Sequence, residues 1–201
     1  ARSVVGTLVD TGKTVQSLTG QAMAQLPRLA RLEQVGHDTR ISLGTLLDEQ
    51  AASHADDPFF LFEGRSHSYA DAKVRIDNVV KGLISIGVRQ GEHVGVLMDT
   101  RPSGLAAVAA LSRLGAIAVM LRPGPDIARE VRLGEVDRVV AAPENGALAV
   151  DATSVPVYVL GGGGDERDLG PRVTDMERID PDAVRIPAWY LANPGRAEDL
   201  A

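Results

Sequence analysis

The chain has 201 residues, 44% of them hydrophobic but only 3% aromatic, with a formal net charge of −6 and no cysteine. A chain of this length buries roughly 70% of its unfolded surface without a metal or disulfide staple, and the shortage of aromatics leaves Val, Leu, Ile and Ala to build the core. The acidic balance argues against bulk nucleic-acid binding, and the lack of cysteine excludes disulfides, thiol nucleophiles and zinc–thiolate sites while fitting a reducing cytoplasm.

Residues 1–41 read differently from the rest. Apolar residues recur at Val4, Leu8, Val15, Leu18, Ala22, Leu26 and Leu29, one face of an amphipathic helix, with Pro27 as a breaker. Five basic residues against three acidic ones make this stretch +2 inside an acidic chain. Residues 1–35 are therefore a candidate peripheral contact for an anionic membrane surface or a protein. The blander reading, a helix packed on its own domain, is favoured, because no Trp or Phe anchors the apolar face. Gly6 to Thr14 looks like a phosphate loop at first sight. It has five residues between its glycines where the pattern needs four, and it carries Asp10, so it is set aside. No apolar run approaches the ~20 residues of a bilayer span. Ala1 and the context of Ala201 read as cut ends.

From Ser42 the elements alternate. A helix is expected over Leu43–Ser53 and a short strand over Phe59–Phe62, followed by a turn at Glu63-Gly64. Ser68 is an N-cap with Asp71 as its capping-box partner, and the helix it starts ends at Gly87. Strand Val94–Met98, a helix from Pro102 to Gly115, strand Ala116–Leu121, helix Ile127–Leu133, strand Arg138–Ala142, helix Glu144–Ala149 and strand Val155–Leu160 follow. Strands and helices in strict alternation with short links predict an α/β fold, a parallel sheet layer covered by helices. Past Leu160, acidic residues outnumber arginines nine to five between Asp165 and Asp199, which reads as an acidic, loop-rich segment with room for one short strand. The organisation is thus 1–41, 42–160 and 161–201.

Chemical motifs are weak. Gly161–Gly164 follows a strand, but Glu166 stands where a dinucleotide loop needs its third glycine and Asp165 is beside it, so a surface loop is favoured. His37, His54, His67 and His93 show no metal-ligand spacing. No G-x-S-x-G is present. Ser103 reads as a helix start after Pro102, and Asp56-Asp57-Pro58 as a turn.

Four stretches, in order and in register, carry a resemblance. They are Leu46–Ala52 with Pro58; Phe62–Asp71; Leu83–Val96, containing Leu83-Ile84-Ser85-Ile86-Gly87-Val88-Arg89-Gln90-Gly91; and Leu111–Pro123, containing Leu114-Gly115-Ala116. Together they resemble the N-terminal part of the AMP-forming acyl-activating superfamily, in the style of a fatty acyl-CoA synthetase, over about Ser42 to Ala142. Met120 and Arg122 depart from the usual Pro and Asn. The resemblance implies a ligase that joins a fatty acid to AMP from ATP, with Mg, releases pyrophosphate, and passes the acyl group to CoA. It also implies that the catalytic motifs lie downstream, so this chain is expected to hold no catalytic or metal-binding residue and to be inactive alone. Arg129 and Arg132 are the candidates for a CoA-phosphate contact, weighed against plain solvated helix charges. The rivals are a non-catalytic interaction or membrane-associated scaffold module and a different nucleotide-binding α/β protein.

Overall fold

The computed structural model describes residues 36–163 and 167–200. The amphipathic face at Val4–Leu29 and the loop at Gly6–Thr14 lie outside the described residues, and so does Gly164. Residues 40–195 form one compact unit. In the other unit, Ala197 N–H donates to Thr39 O at 2.9 Å and Arg196 pairs with Asp38 at 2.8 Å.

Helix α1 spans Leu43–Ser53, and its N-cap Ser42 accepts the Thr45 N–H at 3.0 Å. Strands β1 (Pro58–Phe62) and β2 (Arg65–Ser68) form an antiparallel hairpin, a small sheet of its own. The two-residue turn holds Glu63 at φ 48° and Gly64 at φ 73°, the left-handed pair that matches the twist of the flanking strands. Helix α2 (Tyr69–Ser85) begins with the expected capping box: Ser68 Oγ accepts the Asp71 N–H at 3.1 Å, and Asp71 Oδ2 accepts the Ser68 N–H at 3.0 Å. That bond lowers the Asp71 pKa first, with the Ser68 hydroxyl adding to it.

The parallel sheet follows. Strand β3 (His93–Leu97), helix α3 (Pro102–Leu114), β4 (Ile117–Met120), α4 (Ile127–Leu133), β5 (Arg138–Ala141), α5 (Gly146–Ala152) and β6 (Val157–Val159) alternate as the sequence predicts. The acidic segment adds a fifth strand, β7 (Val173–Asp175), and a 3₁₀ turn at Met176–Arg178. All neighbours are parallel, in the order β4-β3-β5-β6-β7.

Strand residues alternate between two cores. Val94, Val96 and Val140 face α1, α2 and α3, and meet Ile76, Leu83, Leu111 and Leu114. Leu97, Val139, Ala141 and Val157 face α4 and α5, and meet Leu121, Ile127, Val131 and Ala149. Gly95 sits where the second layer presses closest: a Cβ there would lie 2.7 Å from Leu121 Cδ1 and 3.1 Å from Val136 Cγ1. Buried Arg113, only 3% exposed, pairs with Asp48 and Asp77 and so joins α1, α2 and α3. Asn193 adds to this cluster by donating to Asp48 Oδ2 at 3.1 Å.

Two expectations need revision. Phe59–Phe62 does not enter the parallel sheet; it pairs with Arg65–Ser68, a strand the sequence did not suggest. The helix expected from Glu144 begins as a 3₁₀ turn at Pro143–Asn145 and becomes α-helical only at Gly146.

Candidate functional site

The strand order decides where a site belongs. From β3 the chain crosses to β4 on one side, then returns to β5 on the other. Loops that leave neighbouring strands in opposite directions open a crevice at the strands' carboxyl ends, the usual ligand position in open α/β sheets. A cleft of about 610 Å³ lies there. It is bounded by Arg101–Ser103 after β3, Pro143 and Glu144 after β5, and Gly161–Gly163 after β6, with Arg75 from α2 and Glu177 from the 3₁₀ turn. The volume is in the range of small-molecule sites.

Three arginine–carboxylate pairs shape this cleft. Arg101 holds Glu144 with two contacts, at 3.0 and 2.9 Å. Arg75 forks onto both oxygens of Glu177. Arg167 donates through Nε and Nη2 to the two oxygens of Asp175, each at 2.8 Å. Such forks fix geometry as well as charge. The glycine loop is tied into them: Glu177 Oε1 accepts the Gly161 N–H at 2.7 Å, and Arg167 Nη1 donates to Gly161 O at 2.8 Å. Gly161 has φ 102°, and a Cβ on it would lie 2.6 Å from Ser103 Oγ. Only glycine fits that combination.

The charges are set for holding, not for proton transfer. Burial pushes the Glu177 carboxyl up, but the hydrogen bonds and charge of Arg75, with the Gly161 N–H, bring it below its usual range. Burial likewise opposes Asp175, and Arg167 with the Glu177 N–H overcomes it. In return, the hydrogen bonds that Arg167 donates to Asp175 raise the Arg167 pKa. Carboxylates held ionised this firmly are poor general acids. Among the described lining residues there is no histidine to act as base, and Ser103 has no activating partner among the described hydrogen bonds. The cleft offers fixed walls against which a ligand could be positioned.

Sequence reasoning missed these residues. Arg75 and Glu177 are 102 positions apart, and nothing local announces the pair. The loop at Gly161–Gly163, read as a surface loop, is exposed at Gly162 and Gly163 and also lines the cleft, because β6 ends beside β5. Arg129 and Arg132 sit exposed on α4, make no ion pair among the described residues, and line none of the three hollows found. Ser103 is in the first turn of α3, as expected. His67 stacks on Phe60 at 4.6 Å, and the His93 ring Nδ1 lies 2.6 Å from Gly134 O. No group of three metal-ligating side chains occurs among the described residues, and none of their helices is long and apolar enough to cross a membrane.

The fold has known counterparts. The family model for AMP-binding enzymes matches residues 47–157, the span from α1 through β6. Triostin synthetase I of Streptomyces triostinicus is 31% identical over 137 residues, covering 68% of this chain and 24% of the relative. The medium/long-chain-fatty-acid–CoA ligase FadD6 of Mycobacterium tuberculosis is 29% identical over 141 residues, covering 63% of this chain and 24% of the relative. The chain thus spans about a quarter of the length of both. A crystal structure assigned as a long-chain-fatty-acid CoA ligase from Rhodopseudomonas palustris superposes with a TM-score of 0.58 at 21% identity, over 70% of this chain and 36% of that one. A coronafacic acid ligase from Pectobacterium brasiliense gives 0.59 at 13%, over 67% and 28%. At these identities the structural likeness speaks for the fold alone.

Proposed function

The chain belongs to the AMP-binding enzyme family, and from that premise we propose that it is the N-terminal α/β portion of an ATP-dependent, AMP-forming fatty acyl-CoA ligase. The observation that carries this reading is the coincidence of three spans. The family match over 47–157 contains nearly all of the four motif stretches, which run from Leu46 to Pro123, and nearly all of strands β3 to β6, which run from 93 to 159. FadD6 supports a fatty acid as the carboxylate substrate. Triostin synthetase I supports only the broader class, an adenylate-forming enzyme.

The described residues do not fit a Mg–nucleotide by themselves. Each lining arginine is committed to a carboxylate, and no cluster of metal ligands accompanies them. No step of the ligation is therefore assigned to these side chains. The portion's own work is to hold the walls of the switch-point cleft in place, through the Arg75–Glu177 and Arg167–Asp175 forks.

Arg129 and Arg132 are offered as a contact for the phosphate of CoA, on the strength of their exposure and their lack of ion-pair partners among the described residues. In a protein continued to the relatives' length, replacing both with Ala is expected to raise the KM for CoA several-fold and leave fatty-acid adenylation unchanged. An unchanged KM would return them to ordinary surface charges. The substrate class is tested in the same continued protein by pyrophosphate exchange into ATP with a panel of acids. Exchange should depend on medium- and long-chain fatty acids. Exchange driven by amino acids or aryl acids instead would overturn the fatty-acid reading and leave the family intact.

A further inference from the structure

Past the 3₁₀ turn at Met176–Arg178 the chain runs to residue 195 with no helix or strand. That is longer than most connections in compact domains, where such lengths usually carry a function. None of residues 180–195 is fully buried, and Arg185, Ile186, Trp189 and Leu191 are exposed. Ile179 and Tyr190 pack against the first core but are only partly buried.

The near part of this segment is held lightly. Lys81 of α2 pairs with Asp182 at 3.6 Å, and the Arg89 guanidinium lies 4.2 Å from the centre of the Trp189 ring. Exposed contacts of both kinds are weak. The main-chain bonds donated by Ala183 and Tyr190 are local turns, to Asp180 O at 3.2 Å and Pro187 O at 3.0 Å.

The far end is anchored through one residue. Asn193 takes a left-handed backbone at φ 53°, which Asn tolerates better than most residues. Its N–H donates to Arg113 O at 2.7 Å. Both ends of its amide are used: Oδ1 accepts the Ser42 hydroxyl at 3.0 Å, and Nδ2 donates to Asp48 Oδ2 at 3.1 Å. An ionised carboxylate has no donor for that second bond and would repel Asp48. The seat is shaped for this side chain. A Cβ on Gly44 would run into Asn193 Oδ1, and one on Gly115 would run into the neighbouring Pro194. The seat is also firm, because Asp48 is paired with buried Arg113, which pairs with Asp77 as well.

Little buried surface, local hydrogen bonds and one well-fitted anchor are the marks of a segment that opens by itself, at a lower free energy than a packed sheet. We propose that residues 180–195 form a strap latched by the Asn193 side chain to the layer of α1, α2 and α3, and that the strap opens as a unit while the sheet stays folded. Its opening requires nothing of the reaction proposed above.

Amide hydrogen exchange on the 201-residue chain tests this. The Tyr190 and Asn193 amides should exchange through one shared opening, faster than the amides of β3 and β5. Urea too dilute to unfold the chain should speed the sheet amides and leave these two unchanged, because opening the strap exposes little surface. Val139→Ala, in the buried sheet core, should do the same, since it destabilises the latched and open forms equally. Asn193→Gly keeps the left-handed backbone and removes only the side chain, so exchange at Tyr190 and at position 193 should rise about tenfold or more. Asn193→Asp, which sets a second carboxylate against Asp48, should act in the same direction and serves if the glycine variant fails to fold. Ile186→Ala, on an exposed strap side chain, should change neither amide. Strap amides that exchange only together with the sheet, that follow the sheet in dilute urea or in Val139→Ala, that ignore both Asn193 variants, or that respond equally to Ile186→Ala would each overturn the proposal.

Discussion

Gly161 is the residue on which the cleft turns. It combines a left-handed backbone with a close approach to Ser103, and both its N–H and its C=O are taken by side chains that also hold Arg75 and Asp175. Gly161→Ala should cost about 1–3 kcal/mol for backbone strain, with a further loss from the Ser103 contact. Urea unfolding measures the sum, and adding Ser103→Gly should recover only the contact part. The paired carboxylates give a second expectation. Asp175 and Glu177 have folded pKa values below their unfolded ones, so their stabilisation is complete above the ordinary carboxylate range and is lost as pH falls through the lower folded values. Stability should therefore drop between about pH 5 and pH 3, and Glu177→Gln should make that drop shallower. An equally steep acid limb in the variant would mean the Arg75 fork contributes nothing. These residues were not legible beforehand. The partners are far apart in sequence, and a glycine's role depends on what packs against it.

At the scale of elements, legibility tracked local physics. The Ser68–Asp71 capping box sits within one turn and was readable, and so were the buried runs of β3 and β5, whose apolar character needs no partner to explain it. β2 was not, since Arg65-Ser66-His67-Ser68 has no apolar alternation and becomes a strand only because β1 offers it a ladder. The turn between them was recognised as a turn, though not as the closure of a hairpin. Its chemistry is imperfect: Glu63 occupies a left-handed position at φ 48° that Asn tolerates better. Glu63→Asn is expected to stabilise the fold by about 0.5–1 kcal/mol, read as a rise of about 1–4 °C in Tm. A fall in Tm would show that the Glu63 side chain contributes something its position does not reveal.

For the whole molecule, the fold class, the family and the parallel order agree, and the cleft falls where the strand order reverses. The chain supplies an α/β layer whose cleft-lining arginines are each paired with a carboxylate, and it spans about a quarter of its relatives' length. The direct measurement is fatty-acid-dependent exchange of pyrophosphate into ATP, run side by side on the 201-residue chain and on a protein continued to the relatives' length. Exchange is expected in the longer protein, with none above background in the chain alone. Exchange by the chain alone at a rate comparable to the longer protein would contradict it.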